Sequence, residues 1–407
     1  MSGKSKLFAN SALYTLSSLG AKGLAFVLVP VYTYYLRPED CGLVNLIVSF
    51  VAMVNYLILL SLDSVLMRVW GDYADQPLMR KKLYGNILLM VGAAYGIFLL
   101  LFWIFYDFLQ NTLFEGIPFL PYLLIALLIL FCSSVFTIHR RYLETVQEGK
   151  ILAGISFLGL LMGAGTAVSL LVLFNYGAAA MLLSTLVADG FYLLFMIVDV
   201  IRRRLVVFSI DLQLMKRLLA YSLPIIPHNI SGYAGHFFSR YLIKKLDSIA
   251  SLGIFSLALQ FTSLIEVFQD SCGHAYRPWL NKLLQREDES RNAEIHQASL
   301  LLLNLYSVVY ILIGLFAFEV IVLMVAPSFR VAWKLLPLLV AVYSLNSIYY
   351  FYIYQAFYYK HVSNKIFLIS IVGSVVYLGL VAALTPFVGI LGAVLGLLGS
   401  IVVRIGG

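Results

Sequence analysis

Twelve long apolar stretches succeed one another along this chain, at residues 8–36, 42–69, 84–106, 118–138, 151–174, 178–201, 214–240, 249–276, 297–326, 332–358, 364–385 and 387–404. Most hold 20 residues or more, and at about 1.5 Å of rise per residue such a helix crosses roughly 30 Å of hydrocarbon. Within lipid each backbone N–H and C=O needs a partner inside the protein, and a helix supplies those partners to itself. Composition excludes a soluble core. The 407 residues are 62% hydrophobic and 12% charged, where a soluble domain has about 45–50% and about 25%. Nor does one hydrophobic core grow much beyond roughly 250–300 residues. The expected fold is an all-α polytopic membrane protein with about 12 transmembrane helices. The first residues carry Lys4 and Lys6 but no short apolar core ending in a small-residue cleavage site, so the first stretch is expected to be a retained span.

The basic residues orient the chain. With the N-terminus in the cytoplasm, 21 of the 28 Lys and Arg residues fall in cytoplasmic segments, 6 in outer ones, and Lys22 inside a span. That asymmetry is the positive-inside pattern. It accounts for a net charge of +8 without any nucleic-acid partner and places both termini in the cytoplasm. Cys41, Cys132 and Cys272 form no CxxC pair and have no His-rich tract nearby. They read as packing residues, with no disulfide framework and no metal site.

The chain also reads as duplicated. Arg37-Pro38-Glu39-Asp40-Cys41-Gly42-Leu43 links the first two spans, and Asp247-Ser248-Ile249-Ala250-Ser251-Leu252-Gly253-Ile254 links the seventh and eighth. Gly42 and Gly253 stand 211 residues apart. An even number of spans per half makes such repeats parallel, related by an axis along the membrane normal. The expected organisation is an N-terminal lobe at 1–203, a cytoplasmic linker at 204–213 and a C-terminal lobe at 214–407.

The opening segment reads Asn10-Ser11-x-x-Tyr14-Thr15-Leu16, then Lys22-Gly23, then Phe26-x-Leu28-x-Pro30-x-Tyr32-Thr33-x-Tyr35-Leu36-x-Pro38-x-Asp40-x-Gly42. With Leu62-Asp63-Ser64 and Arg68, Tyr349-Tyr350-x-Tyr352, and Thr385-Pro386-Phe387-x-Gly389-Ile390-x-Gly392-Ala393, it resembles the Wzx-type oligosaccharide flippases. These are polysaccharide biosynthesis proteins of the multidrug/oligosaccharidyl-lipid/polysaccharide exporter superfamily. The resemblance covers essentially the whole chain. It implies two pseudo-symmetric six-helix bundles around a central cavity in a bacterial inner membrane. It also implies transport of undecaprenyl-pyrophosphate-linked oligosaccharide repeat units between leaflets by alternating access, in association with glycan polymerisation machinery. The first span has Ala21-Lys22-Gly23 where the lipid II flippases are expected to carry an arginine-and-aspartate cluster, which lowers the lipid II alternative.

An ionisable side chain at membrane depth costs at least roughly 2.5–3.5 kcal/mol, so each calls for a reason. Tyr14, Ser18 and Lys22 recur at helical spacing and share a face of the first span. The lysine is a candidate point charge for a substrate pyrophosphate; the rival role is an ion pair with a neighbouring helix. The seventh span carries Pro224 and Pro227 followed by His228, Asn229 and His236, with Arg240 beyond. The prolines remove backbone donors and bend the helix, and the histidines are candidates for sugar hydroxyls or phosphate, with hydrogen bonds to neighbouring helices as the bland alternative. In the eighth span Ser263, Glu266, Asp270, His274 and Arg277 lie on one stripe, and Asn55 is the counterpart of Glu266 in the second span. Glu266, Asp270, Asp63, Arg68 and Asp189 are candidates for ion coupling or gating, Asp63 and Arg68 reading slightly better as a helix-end ion pair. Asp189 and Glu319 read as relay carboxylates or, more simply, as groups bonded within their bundle.

Neither a Walker-type Gly-x-x-x-x-Gly-Lys-[Ser/Thr] nor His-Glu-x-x-His nor Gly-x-Ser-x-Gly occurs. The expectation is a transporter and not an enzyme, without cofactor, driven by the substrate gradient or by protons or sodium. Its partners are then a lipid-linked oligosaccharide and membrane lipid. An ion-coupled multidrug or organic-cation antiporter of the same fold is one alternative. A membrane-embedded glycan polymerase or ligase is another, but the long periplasmic loop usual in those enzymes is missing.

Overall fold

The computed structural model describes residues 20, 23–285, 290–358 and 360–406, with the side chains of all but 228, 229, 274, 275, 352–358 and 360–367. Among these residues there is no strand. The helices are α1 Val29–Tyr35, α2 Pro38–Leu59, α3 Leu62–Val69, α4 Pro77–Ile104, α5 Tyr106–Thr112, α6 Leu124–Thr145, α7 Gly149–Val172 and α8 Ala178–Arg203. They continue as α9 Leu212–Ser222, α10 Ile226–Leu246, α11 Ile249–Leu284, α12 Ser290–Leu315, α13 Ala317–Met324, α14 Leu336–Tyr358, α15 Lys360–Val388 and α16 Leu391–Gly406. Eight helical stretches among the described residues are long and apolar enough to cross a membrane. They number nine if Pro327–Lys334 and Leu336–Phe351, which meet at 46°, form one span.

Several stretches that read as continuous are broken. The second, expected over 42–69, stops at Leu59 and restarts at Leu62, because Leu60 and Ser61 both take positive φ, 50° and 56°. That left-handed conformation costs a non-glycine residue roughly 1–2 kcal/mol, and nothing in the local composition announces it. The seventh, expected over 214–240, is two helices with Leu223–Ile225 between them, since Pro224 and Pro227 interrupt the ladder as well as bending it. The stretch at 297–326 divides at Phe316, and the one at 332–358 begins with the 3-10 turn of Pro327–Lys334. The eighth instead runs further than expected, to Leu284, with Pro278 inside it.

Contacts sort the described residues into two compact units, one of residues 20 and 46–237, the other of residues 23–45 and 238–406. Helices α2 and α10 therefore each contribute to both units. In the first unit the linker 204–211 lies along α4 and is tied down by one buried side chain. Asn86 donates to the carbonyls of Ser209 (2.8 Å) and Lys82 (2.8 Å) and accepts from the backbone N–H of Asp211 (3.1 Å). Gly85 leaves room for the carbonyl of Val207 to approach. Asp211 then caps α9 by accepting from the Leu214 N–H at 3.0 Å.

In the second unit the two glycines read as repeat equivalents touch each other. A Cβ on Gly42 would strike the backbone carbonyl of Ile249, and a Cβ on Gly253 would strike that of Pro38. The first turns of α2 and α11 are thus packed backbone against backbone, with no side chain between them. A methyl group there must separate two helices. Gly42→Ala is expected to destabilise the protein by about 1–3 kcal/mol, the usual range for overpacking. Gly92→Ala, on the open face of α4 where nothing lies within 4 Å of the new carbon, is expected to be neutral or stabilising. Thermal unfolding of the two variants in detergent checks this pair of outcomes.

Candidate functional site

In the first unit, α2 and α3 carry Asn55, Tyr56 and Asp63 toward α6 and α10. Asn55 accepts a hydrogen bond from Ser134 of α6 at 2.7 Å. Tyr56 stacks on Tyr233 of α10, with centroids 3.8 Å apart, and the Tyr233 hydroxyl donates to that of Tyr56 at 2.8 Å. The two rings thereby join the helices through both face and hydroxyl.

Asp63 and Arg68 do not pair, contrary to the helix-end reading. Asp63 is 5% exposed and is held by Arg141 of α6 at 3.1 Å. Arg141 also binds Glu144 at 2.8 Å, and Arg140 reaches the same carboxylate at 3.2 Å. Arg68 is exposed and lays its guanidinium over the Tyr221 ring, 4.9 Å from the centroid. Both lie in α3, five residues and thus about 140° apart around the helix, so Asp63 faces inward, where a carboxylate needs a cationic partner, while Arg68 stays outside.

A second buried cluster went unread in the sequence. His139 of α6 is 0% exposed. Its Nδ1 lies 2.8 Å from the Tyr84 hydroxyl of α4, and its Nε2 lies 3.4 Å from Oδ2 of Asp199 on α8. Asp199 also accepts from Arg203 at 2.8 Å, and Arg203 reaches Glu148, just ahead of α7, at 3.5 Å. His139 stands beside Arg140 and Arg141, and Asp199 beside Arg202 and Arg203. In the sequence each therefore stands at a basic helix end, and only packing shows that they face one another. The sole hint was an aspartate four residues before an arginine at the end of an apolar run.

Asp189, further toward the middle of α8, is half-buried and has no hydrogen bond or ion pair among the described residues. His236 is exposed on α10. The helix α10 also contains His228 and Asn229, whose side chains lie outside the described residues, as do Tyr14, Ser18 and Lys22 entirely.

In the second unit, residues 23–36 are fastened to α11 by Phe26 against Phe261 (5.3 Å, edge-on) and by Gln260 donating to the Ala25 carbonyl at 3.3 Å. Glu266 of α11 accepts from the Tyr343 hydroxyl of α14 at 2.9 Å. One turn on, buried Gln269 donates to the Tyr310 hydroxyl and, at 3.1 Å, to the Tyr343 carbonyl. Asp270 points outward, exposed, so Glu266 and Asp270 do not form one carboxylate pair. Arg240 of α10 sits in the field of Tyr343 and Tyr377. Glu319 is exposed in the first turn of α13, where the helix dipole favours its charge, and not inside a bundle. No group of three or more His, Cys, Asp or Glu among the described residues is arranged to hold a metal.

A family profile described as polysaccharide biosynthesis protein matches residues 7–284. Comparison with curated proteins returns no match. Among solved structures, the inward-facing conformation of a multidrug resistance MATE family transporter of the MOP superfamily is similar with TM-score 0.70 at 16% identity, covering 95% of this chain and 92% of that one. The Vibrio cholerae MATE transporter VcmN in its bent form gives 0.59 at 15% identity, with coverages of 99% and 94%. An outward-facing MATE family transporter gives 0.56 at 17% identity, with coverages of 98% and 91%. At these identities the likeness shows the fold, which is that of the MOP superfamily transporters.

The partner choice of Asp63 has a measurable consequence. Asp63→Ala removes a charged hydrogen bond and is expected to lower stability by about 1.5 kcal/mol, the low end for such bonds. Arg141 is 39% exposed and keeps Glu144, so solvent and the second carboxylate soften the loss. Arg68→Ala is expected to change little. Unfolding midpoints of the two variants in the same detergent separate these outcomes.

Proposed function

Because this chain belongs to the polysaccharide biosynthesis protein family, we propose that it is a flippase for polyprenyl-pyrophosphate-linked oligosaccharide. The chain is a multi-pass membrane protein with the fold of MOP superfamily transporters. The observation that carries the substrate reading is the family match over residues 7–284, which lies on that transporter fold. In this reading the protein sits in a bacterial inner membrane with both termini in the cytoplasm, as the 21-to-6 distribution of basic residues favours.

Lys22, with Tyr14 and Ser18 on its face of the first span, meets the anionic pyrophosphate, helped by His228 and Arg240. Asn55, Asn229 and His236 supply hydrogen bonds to the glycan. Support for Arg240 in an anion-binding role comes from its neighbours, the phenols of Tyr343 and Tyr377, which hydrogen-bond to oxygen anions without cancelling the cation. The polyprenyl chain stays in lipid, and the two lobes, 1–203 and 214–407, alternate access to the headgroup.

An ion-coupled organic-cation antiporter is a second reading, favoured by Asp189 and Asp270, two carboxylates without an ion-pair partner among the described residues. One reconstitution distinguishes the two. In proteoliposomes loaded with a fluorescent polyprenyl-pyrophosphate oligosaccharide, the wild-type protein is expected to expose glycan from the inner leaflet to an external lectin. Lys22→Ala is expected to reduce that rate at least tenfold, the loss corresponding to about 1.4 kcal/mol of transition-state binding. No exposure of glycan by the wild-type protein, together with uptake of an organic cation against a pH gradient, overturns the flippase reading in favour of the antiporter.

A further inference from the structure

We propose that His139, held between Tyr84 and Asp199 in the first unit, is where this transporter takes up and releases a coupling proton. The inference rests on the transport reading above and adds to it the identity and the place of the coupling ion.

A histidine kept only for packing closes a hydrogen bond at each ring nitrogen. Here Nδ1 has Tyr84 at 2.8 Å, but Nε2 and Asp199 Oδ2 face each other at 3.4 Å, both buried and neither with a hydrogen-bond partner. Asp199 is engaged on its other oxygen, by Arg203 at 2.8 Å. Every titratable or charged group facing the imidazole is accounted for by three helices. Tyr84 comes from α4, Tyr142 from the same helix as His139, and Asp199 and Arg203 from α8, with Tyr142 bonded in turn to Arg203. Arg140 and Arg141 on the same helix turn away to Glu144 and Asp63.

With His139 neutral, Asp199, Glu148 and Arg203 leave the cluster with one net negative charge, which a proton on the imidazole neutralises. In the tautomer with its proton on Nε2, Nδ1 accepts from the Tyr84 hydroxyl, and one proton added at Nδ1 makes both ring nitrogens donors. The Tyr84 hydroxyl then turns from donor to acceptor, and Nε2–H draws Asp199 toward α6 and away from Arg203. Arg203 has a second carboxylate in reach, Glu148 at 3.5 Å, so it keeps a partner when Asp199 changes allegiance. Proton occupancy is thereby expressed as a choice of partner for Asp199, within α8 or across to α6. Access to water runs through the same residues, for Arg203 and Glu148 are 28% and 41% exposed at the side chain while His139 is shut in. Release reverses each of these steps.

Two measurements test the assignment. In the proteoliposomes described above, an imposed pH gradient is expected to accelerate glycan exposure by the wild-type protein, and in His139→Gln the rates with and without the gradient should become equal. A gradient response in His139→Gln as large as in the wild type overturns the proposal. Should the wild-type protein move no glycan at all, the flippase reading fails, and the proton site is decided without transport. The full-length protein labelled with 15N-histidine is followed by solid-state NMR from about pH 8 to about pH 4, His139 being recognised by the signals missing in His139→Gln. Conversion of both its ring nitrogens to imidazolium on acidification, with a midpoint moved by Asp199→Asn, supports the proposal. Neutral-imidazole signals that persist across the whole range overturn it.

Discussion

Hydrocarbon cannot satisfy a backbone hydrogen bond, and this one constraint shapes most of the molecule. It forces the chain into helices, limits where those helices end, and confines departures from helical geometry to places where other protein groups take over. The departures here follow that rule. The turn at Leu60 and Ser61 is buried at Ser61, and the Ser61 carbonyl still accepts from Ser64 and Val65. The break at Leu223–Ile225 is bridged by the Ile225 N–H to the Ser222 carbonyl. The linker that leaves α8 is not loose, because Asn86 meets two of its backbone groups at once, the Ser209 carbonyl and the Asp211 N–H.

The same low-dielectric setting governs the ionisable residues. An unpaired charge there is expensive, and the acids drawn into the bundle have found partners. Asp63 has Arg141 and Glu266 has the Tyr343 hydroxyl, each on another helix, while Asp199 has Arg203 on its own helix and faces His139 of α6. The links between helices fix their register, so the polar groups that suggest transport chemistry also hold the bundle together. Asp189 stands apart as a half-buried carboxylate with no such partner among the described residues.

How much of this was legible in the sequence depended on the range of the interaction. The apolar stretches and the disturbance of the helix near Pro224 are local or periodic features, and they appeared as such, though as a bend and not as a break. Gly42 and Gly253, read as repeat equivalents, also lie backbone against backbone, which no spacing in the sequence announces. The pairing of side chains was not legible. Asp63 and Arg68 are close in sequence and seemed natural partners, yet five residues apart on one helix they stand about 140° from each other and face different surroundings. Glu266 and Asp270 share a helical stripe but differ in exposure, because α14 covers only the first of them.

The sequence by itself determined that the protein is helical, that it resides in a membrane, and that it resembles polysaccharide biosynthesis proteins, since hydropathy, span length and local motifs are properties of neighbouring residues. The tertiary structure alone decided which charges are neutralised and by whom. Tyr84, His139 and Asp199 are separated by 55 and 60 residues along the chain, and nothing in the spacing of such residues records their meeting. Three apolar helices had first to pack side by side. Only then did burial bring three ordinary polar side chains face to face.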